Sequence, residues 1–172
     1  MTARLSHPNW DNLRQRPDIT PWPHSPFLIE VSISKQSMLL KKEGAVLMAA
    51  PVSTAVNGLG SEEGSYRTPT GNFIIRERIG EGAPHCTSFK GRVPKKVWRG
   101  EKSDDAILTR ILWLDGLDSE NANSYRRYIY FHGTHAEDQI GKEASHGCIR
   151  LRNDDMLKLF DLCPIFTRVH IS

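Results

Sequence analysis

A chain of 172 residues has room for one domain with one substantial core. Its 38% hydrophobic and 25% charged residues are the proportions of an ordinary globular protein, which excludes a disordered or fibrous chain. A net charge of +3, with no run of five like charges, does not mark a nucleic-acid binder, and no stretch reaches the length of an apolar membrane span.

Residues 1–26 are rich in Pro and polar side chains. They read either as an arm over the surface, anchored by Trp10 and Trp22, or as a partly disordered tail. They contain no apolar core of a secretory leader, so a cytoplasmic protein is expected. The three cysteines, Cys86, Cys148 and Cys163, form no C-x-x-C pair. An odd count without paired spacing argues against a disulfide framework and against a zinc ribbon, and suits a reducing compartment.

The folded domain is expected over 27–172. In "FLIEVSIS", Ile29, Val31 and Ile33 alternate with polar residues, the period of a half-buried strand. "SMLLKKEGAVLMAAPVS" predicts two strands joined at Glu43-Gly44. A long turn-rich loop, "TAVNGLGSEEGSYRTPTG", leads to a strand in "NFIIRERI". "GEGAPHCTSFKGRVPKK" reads as irregular. "AILTRILWLDGL" and "RYIYFHG" read as strands, the second ending near His132. "NDDMLKLFDLCP" predicts a helix with Asn153 as N-cap, Asp154 and Asp155 at the positive end of the dipole, and Pro164 as the stop. "FTRVHIS" closes the chain as a strand. Seven or eight strands and one helix indicate a mainly-β sandwich or barrel with a helical addition.

The chemistry-bearing residues gather between His132 and Cys148. Three readings compete for Cys148. His132, His135, His146 and Cys148 could be four zinc ligands, as in a metal-binding module, although His132 and His135 flank a glycine turn that does not aim both rings at one point. A free cysteine is most often a small buried hydrophobe, the reading that fits Cys163 in the apolar phase of the last helix and, in the main, Cys86. The third reading is a nucleophile. Gly147 permits a tight turn, in which the amides of His146, Gly147 and Cys148 could converge on an oxyanion. A nucleophilic thiol needs an imidazole to take its proton. His146 is cramped by adjacency, whereas a strand-end His132 facing a loop cysteine is an easier pair. The order His then Cys is opposite to that of papain-like peptidases.

These residues resemble a known signature. "FHGT … SHGCIRLRNDD" is similar to the catalytic motif of the L,D-transpeptidase family, the YkuD-type catalytic domain. "LIEVSISKQSMLLKKEGAVLMAAPVST" resembles that family's opening strands, and "GSYRTPTGNFII" its TP-x-G-x-F turn. The resemblance spans about residues 27–172. It implies Cys148 as nucleophile and His132 as general base, with the other ring nitrogen of His132 held by the Gly133 carbonyl. It implies an oxyanion hole from the amides of His146, Gly147 and Cys148, in a turn shaped by Ser145 and His146. Arg150 would contact substrate or support the site, or form only a surface salt bridge. Thr68-Pro69-Thr70-Gly71 would be structural, and His135 takes no part.

The implied substrate is a peptidoglycan stem tetrapeptide, attacked at the L-centre of its third residue with release of the terminal D-alanine. No metal and no organic cofactor is implied, and no nucleic-acid or membrane partner; the oligomeric state is open. The acyl group on Cys148 passes either to water or to an amine. With a cytoplasmic location expected, water is favoured, which gives a murein L,D-carboxypeptidase in peptidoglycan recycling. Cross-linking or D-amino-acid exchange is the alternative.

Overall fold

Alternating apolar side chains build the first strands. The computed structural model describes residues 24–102 and 106–172, so Trp10, Trp22 and most of the expected arm lie outside the described residues. Strand β1 (Phe27–Ser32) buries Ile29 and Val31, β2 (Ser37–Lys42) buries Met38 and Leu40, and β3 (Ala45–Pro51) buries Met48 and Ala50. Glu43 and Gly44 link β2 to β3 with φ of 49° and 85°. Two positive φ values in a two-residue loop match the twist of the flanking strands, as the hairpin signal predicted.

The chain continues through β4 (Gly71–Ile79), β5 (Thr87–Lys90), β6 (Val93–Val97), β7 (Ile107–Gly116), β8 (Tyr130–Gly133), β9 (Ile149–Leu151), helix α1 (Asn153–Leu162) and β10 (Arg168–Ile171). The sheet is mixed and runs β3-β2-β1-β10-β4-β7-β5-β6, with β8 also paired to β7 and β9 paired to β8. Strands β1 and β10 are parallel, as are β8 and β9; the other pairs are antiparallel. The protein is therefore mainly β with a helix after Cys148, as expected.

Three strands escaped the sequence reading, and each has a physical reason. Every residue of β6, "VPKKV", is exposed, so it shows no alternation. Its Pro94 and two lysines suit an edge strand that must not recruit another chain. Its partner β5 has only four residues, and β9 only three.

Strand β7 explains its own unbroken apolar run. Leu112 and Leu114 enter the main core, whereas Ile111 and Trp113 join a second cluster with Phe89 and Tyr130. The strand is buried on both faces, so periodicity disappears. Helix α1 packs on β7 and β8 and buries Met156, Leu159 and Phe160, spaced three and four apart. Each such burial is worth roughly 1.5–3 kcal/mol.

Asn153 is not the N-cap. Arg152 holds that position and makes no side-chain cap bond; the Asn153 amide instead donates to Glu137 Oε1 at 2.7 Å. A carboxylate from a neighbouring loop satisfies the orphan amide and complements the dipole. Asn153 itself is buried.

Cys163 is fully buried, and burial pushes its thiol up to about 11 against the opposing effects of Thr167 and Arg78. Burial likewise pushes the Tyr130 phenol up to about 12. In the unfolded chain the same groups ionise near their ordinary values of about 8.5 and 10. Between those values and the folded ones, the native state holds protons that the unfolded chain has lost, so stability falls as pH rises. Urea unfolding should be insensitive to these groups below about pH 8 and weaken from pH 9 to 11, with Cys163 alone accounting for up to about 3 kcal/mol. Cys163→Ala should be less stable at neutral pH but show a flatter decline; an unchanged decline would rule the thiol out as its source.

Candidate active site

Strand alternation assembles the site. Phe131 of β8 and Ile149 of β9 both point into the main core. Their neighbours therefore point to the opposite face. That face carries Tyr130 and His132 on β8, and Cys148 and Arg150 at the start of β9. Register pairs Phe131 with Ile149 and His132 with Arg150. Cys148 is thus offset from His132 by two residues on an adjacent parallel strand, a Cα separation of about 8 Å that an imidazole and a thiol together can span.

His132 is 1% exposed, and its Nδ1 lies 2.7 Å from the Gly133 carbonyl oxygen. A carbonyl only accepts, so Nδ1 carries the proton and Nε2 is the basic nitrogen. Gly133 is held tightly. A Cβ there would lie 2.3 Å from Asn153 Oδ1 and 2.9 Å from the Leu108 carbonyl oxygen. Asn153 donates through Nδ2 to the Thr134 carbonyl at 2.7 Å and to Glu137 Oε1 at 2.9 Å, and accepts from Thr109 Oγ1 at 2.6 Å. Thr109 occupies a bulge between β7 and β8 with φ of 73°, strained for a β-branched residue. A buried polar network thereby fixes the carbonyl that orients His132.

The turn before β9 is braced on both sides. Ser145 Oγ donates to the Cys148 carbonyl at 2.6 Å and accepts from the Gly147 amide at 3.2 Å. The Gly147 amide thus has a partner inside the turn. Thr68 Oγ1 donates to the Gly147 carbonyl at 3.0 Å and accepts from the Ala55 amide at 3.0 Å. The Thr68–Gly71 segment therefore has the structural part expected of it. Gly147 has φ of +124°, a conformation that suits only glycine.

Cys148 is half-buried and packs against the second cluster; its thiol donates to the Tyr128 carbonyl at 3.3 Å. Tyr128 has φ of 58°, and this strained backbone turns its carbonyl toward the sulfur. Arg127 lies within electrostatic reach of Cys148, and burial lowers its pKa. Its guanidinium ties the preceding loop together, donating to the Gly60 carbonyl, Ser65 Oγ and the Arg67 carbonyl.

His146 differs from its neighbours. Its side chain is exposed, edge-on to Tyr66 at 6.0 Å. Arg150 is 5% exposed and donates to the Ala144 carbonyl at 3.1 Å, so it braces the loop ahead of the turn. The surface-salt-bridge reading of Arg150 does not fit this burial. The four possible zinc ligands do not converge. His135 Nδ1 accepts from the Ala106 amide at 3.4 Å beside Trp98, and among the described residues no group of three or more His, Cys, Asp or Glu is placed to hold a metal.

Thr109, Tyr128 and Asn153 were not legible as site residues. Asn153 has a helix-start signal that hides its other role, and the other two carry no pattern at all.

Strands β8 and β9 thus present, on one face, a buried, tautomer-fixed histidine and, two residues out of register on the adjacent strand, a cysteine at a braced glycine turn. The family model described as the L,D-transpeptidase catalytic domain matches residues 26–171. The chain belongs to this family. YqjB of Bacillus subtilis, whose name places it among L,D-transpeptidases, is 33% identical over 110 residues, 64% of this chain and 60% of its own length. Bacillus subtilis YkuD, named likewise, is 27% identical over 148 residues, 86% of this chain and 66% of its own. The chain thus spans less than two thirds of the length of these relatives. The crystal structure of the L,D-transpeptidase from Xylanimonas cellulosilytica superposes with a TM-score of 0.58 at 23% identity, covering 91% of this chain and 64% of that one. That likeness carries the L,D-transpeptidase fold. No helix among the described residues is long and apolar enough to cross a membrane.

Proposed function

We propose that this L,D-transpeptidase-family enzyme cleaves peptidoglycan stem tetrapeptides through a thioester on Cys148. The observation that carries the reading is the Nδ1 contact of His132 with the Gly133 carbonyl, because it makes Nε2 the base on the face that bears Cys148. His132 Nε2 takes the thiol proton as sulfur attacks the carbonyl at the L-centre of the third residue. Of the three amides expected to form the oxyanion hole, that of Gly147 is engaged by Ser145 Oγ, so the amides of His146 and Cys148 on either side of it stabilise the oxyanion, with Ser145 and Thr68 holding the turn in shape. Collapse breaks the C–N bond, and His132 returns its proton to the departing D-alanine amine.

For the second half-reaction we favour water. Cys148 is half-exposed, and water needs no docking surface of its own, whereas an amine of a second stem peptide must be bound and positioned. His132 then deprotonates water, and hydrolysis regenerates the thiol and leaves a tripeptide. This is an L,D-carboxypeptidase reaction, suited to trimming soluble muropeptides for reuse in the cytoplasm. Transfer to a D-amino acid or to a second stem uses the same thioester.

The test is product analysis. Purified protein is incubated with a disaccharide tetrapeptide, with and without a D-amino acid, and products are read by mass spectrometry. Tripeptide plus free D-alanine is the expected result. Exchange product or dimer without tripeptide would replace hydrolysis by transpeptidation, and an untouched substrate would reject the reading altogether.

A further inference from the structure

An arginine that pairs with no carboxylate among the described residues stands over the aromatic wall beside Cys148. Arg92 lies in the tight turn between β5 and β6, where Gly91 and Arg92 have φ of 57° and 63°. Its guanidinium carbon sits 5.0 Å from the centre of the Trp113 ring and 4.8 Å from that of Tyr128, and Nη1 donates to the Tyr130 hydroxyl at 3.2 Å. Trp113 stacks flat on Tyr125 at 4.1 Å and meets Tyr130 edge-on at 5.4 Å. The rings therefore form one rigid support.

Cys148 touches this same cluster, and its sulfur rests on the carbonyl of Tyr128, the residue that Arg92 covers. Arg92 donates to the Tyr130 hydroxyl, and Tyr130 belongs to the cluster that Cys148 packs against, which sets all three in one neighbourhood. Among the described residues no carboxylate pairs with Arg92. Arginine has five N–H donors, and the hydrogen bond to Tyr130 uses one of them. The nearby Arg127 differs, because three hydrogen bonds tie its guanidinium to the loop that it holds.

We propose that Arg92 is a specificity-determining residue that receives a carboxylate of the stem peptide next to Cys148. The inference rests on the reaction proposed above. Cation–π contacts seat the guanidinium without neutralising it, which leaves a planar fork for an incoming anion. Chemistry supplies two sources. The carboxylate carbon of the departing D-alanine lies within about 4 Å of the attacked carbon, by covalent geometry alone. The other is the carboxylate at the far end of the third residue's side chain, where that residue is a diamino diacid. Both ask the same of Arg92.

The test compares three disaccharide tetrapeptides: the free acid, one amidated at the terminal D-alanine, and one amidated at the third residue's side-chain carboxyl. kcat/KM is measured for the wild type, Arg92→Gln and Arg92→Lys, with unfolding midpoints as the check on folding. Arg92→Gln should lose about 10- to 100-fold on the free acid, the range for a charge-assisted contact. Arg92→Lys should recover part of that loss. On the substrate that lacks the contacted carboxylate, the wild type should fall by a similar factor and Arg92→Gln should show no further loss; which amide does this identifies the source.

An equal loss on all three substrates would make Arg92 a structural support of the aromatic wall and overturn the proposal, as would no loss on the free acid. A wild type that cleaves none of the three overturns the parent reaction and this inference with it. If Arg92→Gln does not fold, the wild-type comparison across the amides and the Arg92→Lys ratio still decide.

Discussion

Cys148→Ala should release no D-alanine from the disaccharide tetrapeptide and form no acyl adduct visible by intact mass. The loss should be on the order of 10^4-fold or more, because the substitution removes the atom that forms the covalent intermediate. Stability should change little, by about 1 kcal/mol or less, since Cys148 is half-buried and its contact with the Tyr128 carbonyl is a weak thiol bond. Cys86→Ala and Cys163→Ala are the controls. Burial raises the pKa of both thiols, so both stay protonated at neutral pH. Neither should abolish turnover. Full activity in Cys148→Ala would end the nucleophile assignment and with it the whole thioester scheme.

Gly147→Ala should lower kcat by about 10^2- to 10^3-fold in a protein that still folds, the cost of one misplaced oxyanion donor. At φ of +124° an alanine is strained, and its Cβ would lie 3.2 Å from the Arg67 carbonyl oxygen and 3.6 Å from Ile129 Cδ1. The first of these is backbone and does not yield easily. The turn must therefore rebuild, and it cannot do so while Ser145 clamps the Cys148 carbonyl and Thr68 clamps the Gly147 carbonyl. His146→Ala should differ sharply, with a loss below about fivefold, because an exposed ring against Tyr66 can be removed without moving the amide. The reverse pattern, an active Gly147→Ala and a dead His146→Ala, would shift the acid–base role to His146 and away from His132. Steady-state kinetics with circular dichroism as a folding check separates the two cases.

The contrast between Gly147 and Asn153 shows where sequence reasoning works. Glycine before a cysteine announces a turn because backbone freedom is a property of one residue. Asn153 before a helix announces a cap for the same kind of reason, yet the structure turns its side chain to Thr134, Glu137 and Thr109 instead. Local preference was outweighed by a buried network that no local rule describes. Strand β6 failed for another reason. Alternation reports burial of one face, and an edge strand exposed along its length has no buried face to report.

The sequence by itself determined a mainly-β domain, the order of its longer strands, the closing helix, and the His132–Cys148 motif with its glycine turn. These rest on short-range properties: side-chain alternation, dipole complementarity and the conformational range of one residue. Tertiary structure alone decided that Tyr128 offers its carbonyl to the thiol, that Asn153 steadies Gly133 and so His132, that Arg150 is buried under the loop rather than paired at the surface, and that Arg92 stands on the wall beside Cys148. All of those contacts but that of Arg150 with Ala144, which spans six residues, join segments far apart in the chain. Their meeting depends on which strands pair and in what register, and pairing is set by the shared core, which no single segment encodes.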